Sequence, residues 1–551
     1  EEYYPGEDGY DLVTTIDASI QYYVEKHLKQ AVEDYDIQNG AGAIAMDVNT
    51  GEILAMASLG NYDLNDFLAV SDEDMELINA ASDEEEKARL LSEAQTRQWR
   101  NKALSDTYEP GSTFKIITLA MALEEGAVSM EDSFYCPGSV NVIGRTSPIR
   151  CWKTQGHGSQ TLTQAAQHSC NVAFVNIGQR VGAERFYDYC EAFGFLNMTG
   201  NDDENLTAKT GIDLAGESGS IWWSKNTFCS EKNLSQLAAA SFGQTFTITP
   251  LQLVTAVSAC VNGGNLMQPY VVRQMLNPDG SVAYERSPKV VRQVISEETS
   301  ATVRKILEQV VGDQKEGTGH NAYVAGYRIG GKTGTSTKTT EEIAGNKEYI
   351  VSFIGFAPAD DPEIAILVLL DDPSSESGIY ISGGQMAAPV VGKMMADILP
   401  YLGYEPEYTD AELENIDRPV PEVAGMSLAE AQRALTESGF KSRIIGEGDT
   451  VTDQLPRSGV VIASGSEVLL YAGQSPAPTQ ETMPDVRGLS YAEAVERLGD
   501  IGVYLSSGNS STDAANLIVS GQSIAPGTAV EHGTVVDVTL YLNDTSMLGI
   551  Y

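Results

Sequence analysis

A serine and a lysine stand three residues apart at the start of an apolar segment, in the stretch YEPGSTFKIITLAMALEEG that begins at Tyr108. Side chains three residues apart lie on one face of a helix, so the amine of Lys115 can reach the hydroxyl of Ser112. Such a pair builds a nucleophile without histidine, because the amine takes the proton that serine loses on attack. In the alternative, Ser112 or Thr113 only caps the helix while Lys115 extends to water.

Two further polar clusters lie downstream. Ser169 and Asn171 flank a cysteine at the start of a second predicted helix, and the run Lys332-Thr333-Gly334-Thr335 lies on a predicted strand. Ser-x-x-Lys, Ser-x-Asn and Lys-Thr-Gly, in this order, form the motif set of class A β-lactamases and penicillin-binding proteins. The three clusters together favour a catalytic Ser112 over a capping one.

Longer segments around these motifs resemble the transpeptidase domain of a class B, monofunctional penicillin-binding protein. They cover most of residues 10 to 400 and include TIDASIQ, NTGEILAMAS, SCNVAF, FGQTFTITPLQL, RIGGKTGT and GGQMAAPV. Two repeats that begin at Arg418 and Glu481 resemble PASTA domains. This architecture resembles the division or sporulation branch of the class B enzymes. The resemblance also implies a membrane anchor and a pedestal domain, of which only Glu1 to about Tyr10 could remain.

The hydrophobic patterns predict an α/β (α+β) fold. A hairpin pattern in GAGAIAMDVNTGEILAMAS and three strand patterns in YRIGGKTGT, YIVSFIGFAP and EIAILVLLDD flank a mostly helical middle. The family resemblance implies a mainly antiparallel sheet between helices. We set the domain boundaries at 1–410 for the transpeptidase domain and at 418–474 and 483–544 for two small α+β PASTA domains. The Pro-rich spacer QSPAPTQ should be extended and semi-rigid.

The resemblance gives the motif side chains their expected roles. Ser112 attacks a carbonyl and Lys115 takes its proton, while Ser169 relays a proton toward the leaving amine. Asn171 holds Lys115 and the substrate amide by hydrogen bonds. Lys332 is expected to lower the pKa of Lys115 by repulsion between two like charges, and to attract a substrate carboxylate.

Main-chain groups and smaller side chains complete the expected site. The N–H groups of Ser112 and Thr335 are expected to hold the oxyanion. The hydroxyls of Thr333 and Thr335 suit a carboxylate, and Gly334 lets a substrate approach the strand closely. Trp152, with the following Gly-His-Gly, either lines the cleft or serves only in packing.

The predicted activity is that of a peptidoglycan D,D-transpeptidase that is acylated and inhibited by β-lactams and needs no cofactor. Its expected substrates are stem peptides ending in D-Ala-D-Ala, at the extracytoplasmic face of the membrane, with a glycosyltransferase or divisome-type membrane partner. The alternatives are a β-lactamase-type hydrolase, a D,D-carboxypeptidase and a non-catalytic β-lactam or muropeptide sensor. A class A β-lactamase would need a Glu-x-x-Leu-Asn pattern, which the window NDDENLTAK lacks.

Composition excludes several other classes of function. A net charge of −42 repels nucleic acid, and the sequence has no apolar run of membrane-spanning length. The six cysteines form no Cys-x-x-Cys pair, so the spacing predicts no zinc or other metal site. Cys136 and Cys151 bracket a turn-rich segment and could either form a disulfide or stay free.

Overall fold

The computed structural model describes residues 9–60, 62–197, 208–338, 348–409, 412, 417–476, 479–507 and 517–542. The chain divides into two compact units, one of residues up to Ala322 with Arg328–Leu402, the other of Tyr323–Tyr327 with residues from Gly403 onward. Some expectations fall outside the described residues. They concern residues 1–8, most of the NDDENLTAK window, the centre of the QSPAPTQ spacer and the predicted boundaries at 410 and 544.

The first unit is a mixture of short and long strands and helices. Its described strands are β1 (Asp11–Thr14), β2 (Ala41–Asp47), β3 (Ile53–Ser58), β4 (Ser133–Cys136), β5 (Ser139–Val140), β6 (Ile149–Arg150), β7 (Gly158–Thr161), β8 (Asn265–Met267), β9 (Val272–Leu276), β10 (Val282–Glu285), β11 (Val290–Gln293), β12 (Gly330–Thr337), β13 (Tyr349–Ala357) and β14 (Ile364–Asp371). Its described helices are α1 (Ala18–Asp34), α2 (Asp72–Ala80), α3 (Glu84–Gln98), α4 (Lys102–Ser105), α5 (Lys115–Glu124), α6 (Leu162–Gln167), α7 (Asn171–Val181), α8 (Ala183–Ala192), α9 (Lys225–Phe228), α10 (Ser235–Ala240), α11 (Pro250–Val261), α12 (Glu297–Gly312) and α13 (Ala388–Tyr401). Single turns at Gly111–Phe114, His320–Ala322, Ser375–Ser377 and Gly383–Ala387 complete it.

A five-stranded antiparallel sheet organises this unit, in the order β12-β13-β14-β2-β3. The strands predicted at both ends of the helical middle are present, and the structure joins the N-terminal hairpin to the three late strands in one sheet. The strands β2 and β14 are apolar and buried along nearly their whole length, which requires cover on both faces of the sheet. Helix α1 contacts β2 and β3, helix α13 contacts β13 and β14, and helix α11 contacts β2 and β14. The strand β12 is left at the edge of the sheet.

The helices behind the sheet are buried because they are apolar on all sides. Every residue of α11 is buried, and eight of the ten residues of α5 are buried, from Lys115 to Ala122. An acidic insertion before Trp99 instead forms α2 and α3, whose residues are mostly exposed. Among the described helices, none combines the length and the apolar run that crossing a membrane requires.

The second unit contains the two repeats. The first repeat has β15 (Arg418–Pro419), α14 (Leu428–Glu437), β16 (Lys441–Gly446), β17 (Val451–Leu455), β18 (Val461–Ile462) and β19 (Glu467–Ala472). The second has β20 (Gln480–Thr482), α15 (Tyr491–Gly499), β21 (Tyr504–Ser506), β22 (Leu517–Gln522), β23 (Ala529–Glu531) and β24 (Val535–Leu542). Each helix begins with the same Ser and Glu capping box, and the sheet orders β16-β19-β17 and β21-β24-β22 correspond. Their equivalence confirms the repeat seen in the sequence.

The repeats contact each other directly. The Tyr504 hydroxyl donates to the carbonyl oxygens of Leu455, at 2.9 Å, and Glu467, at 3.1 Å. The N–H of Ala463 donates to the carbonyl of Leu505 at 2.8 Å. Tyr504 belongs to the apolar core of the first repeat although it lies in the second. The two repeats therefore share packing that the spacer sequence alone does not predict.

Candidate active site

Ser112 lies on a tight turn, Gly111–Phe114, directly before α5. Gly111 has φ +56, a conformation that strongly favours glycine, and its N–H donates to the carbonyl of Gly243 at 2.9 Å. The Thr113 hydroxyl donates backward to the carbonyl of Pro110 at 2.7 Å, and no side chain caps the turn. The capping alternative for Ser112 and Thr113 is therefore not what the structure shows.

Lys115 is buried one turn after Ser112, with 1% of its surface exposed, and so does not extend to water. Its Nζ donates to the carbonyl oxygen of Ser169 at 2.7 Å, to Ser169 Oγ at 3.1 Å and to Asn171 Oδ1 at 2.8 Å. These bonds use all three donors of an ammonium group. The ring face of Phe174 lies 5.3 Å from the same nitrogen. The first two motifs thus meet at Lys115, and Ser112 is not among its hydrogen-bond partners in this state.

Ser169 occupies a turn between α6 and α7 and has φ +50, which is uncommon for a residue other than glycine. The sequence predicted a helix start at this motif, and α7 begins at Asn171, so Ser169 lies in the break between two helices. The break turns the Ser169 carbonyl and hydroxyl toward Lys115 instead of into a helix. Strained backbone that the surrounding structure holds in place is concentrated at functional sites.

Burial is the main reason why both lysines of the site have lowered pKa values. Burial lowers the pKa of Lys115 to about 8, although nearby Cys151 and Cys170 act in the opposite direction. Burial also lowers the pKa of Lys332 well below its usual value, and repulsion from Lys115 adds to this. Repulsion between like charges disfavours both ammonium groups at once, so the role expected for Lys332, lowering the pKa of Lys115, stays a prediction.

The strand β12 brings the third motif beside the serine turn. A Cβ atom at Gly111 would lie 3.0 Å from the carbonyl oxygen of Thr335, so the turn and the edge strand touch there. Lys332 is buried and its Nζ donates to Thr333 Oγ1 at 3.3 Å. Thr335 is exposed on the strand, and its hydroxyl accepts a bond from the N–H of Gly383 at 3.1 Å. All three motifs therefore border one site.

Position 334 requires glycine because the surrounding structure leaves no room for a side chain. A Cβ atom there would lie 2.4 Å from Ser352 Oγ and 3.1 Å from the carbonyl oxygen of Pro110. No side chain fits between β12, β13 and the turn that precedes Ser112. The close approach is thus between two parts of the protein, in addition to any approach of a substrate.

Trp152 is half-buried, packs against the core and also makes a polar contact. Its Nε1 donates to the carbonyl of His168 at 2.9 Å, the residue immediately before Ser169. Its ring meets the ring of His157 edge-on at 5.2 Å, and His157 stacks on His168 at 4.9 Å. The tryptophan therefore supports the turn that presents Ser169.

Two features of the site escaped the sequence. The turn at Gly383 packs against β12, where a Cβ would lie 2.4 Å from the carbonyl oxygen of Gly334. The second is a group of three cysteines and one histidine, Cys136, Cys151, His157 and Cys170, directly behind the Ser169 turn. All six cysteines of the chain are free thiols, so Cys136 and Cys151 are not bridged. In the sequence, Cys170 lies between Ser169 and Asn171, the two residues that bind Lys115. That position was the one feature of the sequence that could have linked the cysteines to the active site.

The comparisons with known proteins agree with this geometry. The family of penicillin binding protein transpeptidase domains matches residues 41–396, and the PASTA domain family matches residues 419–474 and 481–542. Stage V sporulation protein D of Bacillus subtilis is 39% identical over 480 residues, which cover 86% of this chain and 66% of that protein. The probable peptidoglycan D,D-transpeptidase FtsI of Caulobacter vibrioides is 29% identical over 415 residues, covering 72% of this chain and 60% of that protein.

A solved structure gives the same result. Penicillin binding protein 3 of Mycobacterium tuberculosis, complexed with ampicillin, has a TM-score of 0.60 and 28% identity, covering 74% of this chain and 82% of that one. This chain spans between 51% and 66% of the length of the Bacillus protein and two mycobacterial PbpB proteins. These matches agree with the antiparallel sheet and the three motifs at one site. Together they confirm the family resemblance found in the sequence. The chain belongs to the class B penicillin-binding proteins and carries a transpeptidase domain followed by two PASTA domains.

Proposed function

We propose that this protein is a serine-type peptidoglycan D,D-transpeptidase. Ser112 Oγ attacks the carbonyl of a penultimate D-alanine, terminal D-alanine leaves, and an amine from a second stem peptide resolves the acyl-enzyme. One observation carries the proposal: a buried lysine, one turn from Ser112, is held by both polar residues of the second motif. That arrangement supplies a base to a serine that has no histidine partner in the motif set.

The lowered pKa makes Lys115 a usable base. With a pKa of about 8, roughly a tenth of the lysine is neutral at pH 7, compared with about 1 in 3,000 for an ordinary lysine. A base whose pKa lies near the working pH combines a useful neutral fraction with enough basicity to take the serine proton. Burial therefore supports the role of general base for Lys115.

The hydrogen bonds suggest how a proton moves. A neutral amine has two N–H donors and one lone pair, so one of the three present acceptors must be released when Lys115 loses its proton. The bond to Ser169 Oγ is the longest of the three, at 3.1 Å. Releasing it frees the lone pair for the Ser112 proton and leaves the Ser169 hydroxyl free to pass a proton to the leaving amine.

The edge strand β12 supports binding of the substrate backbone and of its carboxylate. Every second residue of an edge strand directs its N–H and carbonyl away from the sheet, where a peptide can add as a further strand. The N–H groups of Thr335 and Ser112 are proposed to hold the oxyanion, each being worth about 3 kcal/mol in such sites. The Thr333 and Thr335 hydroxyls, with Lys332 once protonated, are proposed to hold the carboxylate.

Relatives suggest the chemical class of the ligands. The FtsI relative is described as a probable peptidoglycan D,D-transpeptidase, and the mycobacterial relative binds ampicillin in its solved structure. We therefore propose stem peptides ending in D-Ala-D-Ala as substrates and β-lactams as acylating inhibitors. Action at the extracytoplasmic membrane face, beside a glycosyltransferase or divisome-type partner, remains part of the same proposal.

Intact-mass spectrometry after incubation with penicillin tests the proposal. We expect a single persistent adduct on the native protein and none on Ser112→Ala. Ser139→Ala, which changes a half-buried serine on β5 outside the motifs, is the matched control and should keep the adduct. Circular dichroism shows that each variant remains folded.

The remaining functions give different results. Rapid return to the native mass indicates a β-lactamase-type hydrolase, because the acyl-enzyme would then be hydrolysed. Release of D-alanine from a stem peptide, without a cross-linked product when an amine acceptor is present, indicates a D,D-carboxypeptidase. Substantial labelling of folded Ser112→Ala removes the central claim.

A further inference from the structure

Three cysteines and one histidine converge behind the Ser169 turn, and no step of the proposed reaction uses them. Their sulfur and nitrogen atoms all lie within 4.8 Å of one another. The cysteines are buried and the histidine is half-buried. The members of this thiol cluster are Cys136, Cys151, His157 and Cys170.

Local structure brings the four residues together from separate elements. Cys136 ends β4 and is paired with Gly158 of β7, so the preceding His157 arrives beside it. Cys151 follows β6, and its N–H donates to the carbonyl of Gly138 at 2.8 Å. Cys170 is the N-cap residue of α7. Four backbone segments thus hold the four side chains in place without any bond among the thiols.

The distances fit a tetrahedral ion. Zinc binds thiolate sulfur at about 2.3 Å and imidazole nitrogen at about 2.0 to 2.1 Å, so a regular tetrahedron has S···S edges of about 3.8 Å and S···N edges of about 3.5 Å. Cys151 Sγ lies 3.9 Å from Cys170 Sγ and 3.6 Å from His157 Nδ1. The longest separation in the cluster, 4.8 Å at most, exceeds such an edge by about 1 Å.

We propose that Cys136, Cys151, His157 and Cys170 form a structural Zn²⁺ site. Three thiolates and one imidazole are a soft sulfur and nitrogen ligand set that selects zinc over magnesium or calcium. The protein would supply all four ligands of the ion, as in structural zinc sites, so no coordination position would be left for a reacting water. Binding replaces the three thiol protons, which go to solvent, and leaves the complex with one negative charge. The sequence predicted no zinc site because its ligands lack the usual paired spacing.

The ion would position the catalytic residues, and this part rests on the proposed function. Cys170 lies between Ser169 and Asn171, whose side chains both accept bonds from Lys115. Fixing Cys170 on a metal therefore fixes the strained turn at Ser169. His157 stacks on His168, which immediately precedes that turn. The residues on both sides of Ser169, His168 and Cys170, are thus tied to the cluster.

Metal content of the full chain tests the site without any use of its activity. Protein purified with reductant and without chelator should hold one Zn²⁺ per chain by elemental mass spectrometry. Cys136→Ser and Cys170→Ser should each lose most of it. Cys190→Ser and Cys229→Ser, which change thiols outside the cluster, should keep it. After the zinc is removed, titration with Co²⁺ alone should produce thiolate-to-cobalt absorption that the Cys170→Ser protein lacks.

Two results would overturn the site. One is reduced, folded wild-type protein that contains no zinc and shows no thiolate absorption with Co²⁺. The other is a disulfide between Cys151 and Cys170 that persists under these conditions, because it would consume two ligands. If the cysteine variants fail to fold, the Co²⁺ titration of wild type and of His157→Ala decides the question.

A separate measurement tests the coupling to the active site. Removing zinc from wild type should slow acylation of Ser112 by penicillin and lower the melting temperature, and Zn²⁺ alone should restore both. An unchanged acylation rate in zinc-free protein overturns the positioning role while the metal content still supports the site. If Ser112 is never acylated, the proposed function fails, but the metal measurement remains valid.

Discussion

Two buried polar clusters share the turn between α6 and α7, and they differ in how completely the protein satisfies them. In the first, the ammonium of Lys115 has an acceptor for each of its three donors. In the second, the contacts within the thiol cluster are weak, at 3.9 Å between two sulfurs and 3.6 Å from a sulfur to a ring nitrogen, and Cys170 Sγ also accepts a long bond from the N–H of Ala173. A buried charge is tolerated when it is fully hydrogen-bonded. The first cluster is complete within the chain, whereas the second has the geometry of a set of ligands.

The clusters also influence each other across this turn. Thiolate charge on Cys151 and Cys170 raises the pKa of Lys115, against the larger effect of burial. Lys332 and Lys115 repel each other, which lowers the pKa of Lys332. Lys115 therefore lies between the amine of Lys332 on one side and the thiol cluster on the other. Substitutions that alter one side only will separate the two contributions.

The largest effect is expected for Lys115→Met, which removes the centre of the first cluster and leaves the thiol cluster intact. Acylation by a fluorescent penicillin should fall by roughly 10²- to 10⁴-fold, the usual worth of a positioned base. Folding should not suffer. Between about pH 8 and the ordinary lysine pKa of 10.5, the unfolded chain holds a proton that folded Lys115 has lost. The destabilising effect of burying Lys115 therefore grows as pH falls through this range and is complete below about pH 8.

Lys225→Met is the matched control, since that lysine is exposed and pairs with Asp188. Thermal unfolding should show Lys115→Met at least as stable as wild type at pH 7. Near wild-type acylation in Lys115→Met would mean that another group takes the Ser112 proton.

A smaller effect is expected for Lys332→Ala. Loss of a hydrogen-bonded charge at a carboxylate should weaken binding of the anionic β-lactam by about 10- to 100-fold, or about 1.5 to 3 kcal/mol. Removing the Lys332 charge also removes its repulsion of Lys115, so the acid limb of the acylation profile should move above pH 8. Stopped-flow acylation over a range of pH separates binding from rate. An acid limb that stays in place, with only binding weakened, would mean that Lys332 is a carboxylate anchor and does not act on Lys115.

Asn171→Asp should change the pH dependence more than the maximum rate. A carboxylate in place of the oxygen that lies 2.8 Å from Lys115 Nζ favours the charged amine and raises its pKa, typically by 1 to 3 units. The neutral amine is the active form, so the acid limb should move above pH 8 and the rate at pH 7 should fall by about tenfold or more.

Asn171→Ala gives the opposite test, since losing an acceptor disfavours the charged amine and should move the acid limb below pH 8. Acylation rates with penicillin between pH 6 and about 10 measure both variants. Limbs that move in the same direction in the two variants would contradict the role of Lys115 as the titrating base.

The smallest effect is expected for Trp152→Phe, which touches both clusters. It removes the bond from Nε1 to the His168 carbonyl, worth about 1 kcal/mol, and keeps most of the packing against His157. Acylation should slow by a few-fold, with a small loss of melting temperature. Trp99→Phe, at an exposed tryptophan in the insertion, is the control. A loss of zinc together with unchanged acylation would assign Trp152 to the thiol cluster alone.

Local pattern was enough to predict much of the fold. The hairpin in GAGAIAMDVNTGEILAMAS became β2 and β3. The late strand patterns became β12, β13 and β14. Alternation and helical periodicity depend on neighbours within a few residues, so they are visible in one dimension. The three short motifs could also be identified from the sequence, because each is a contiguous run of residues with a characteristic chemistry.

The tertiary structure alone decided what each motif touches. The motif predicted a helix start near Ser169, but no local pattern predicts the left-handed backbone of Ser169 or the bond from Lys115 to its carbonyl. The thiol cluster draws on four separate segments between Cys136 and Cys170, so sequence spacing could not reveal it. The lowered pKa values of the two lysines likewise depend on burial and distance. The sequence determines which chemical groups are present. Folding determines which of them are close enough to shift each other's pKa, form a hydrogen bond or bind the same ion.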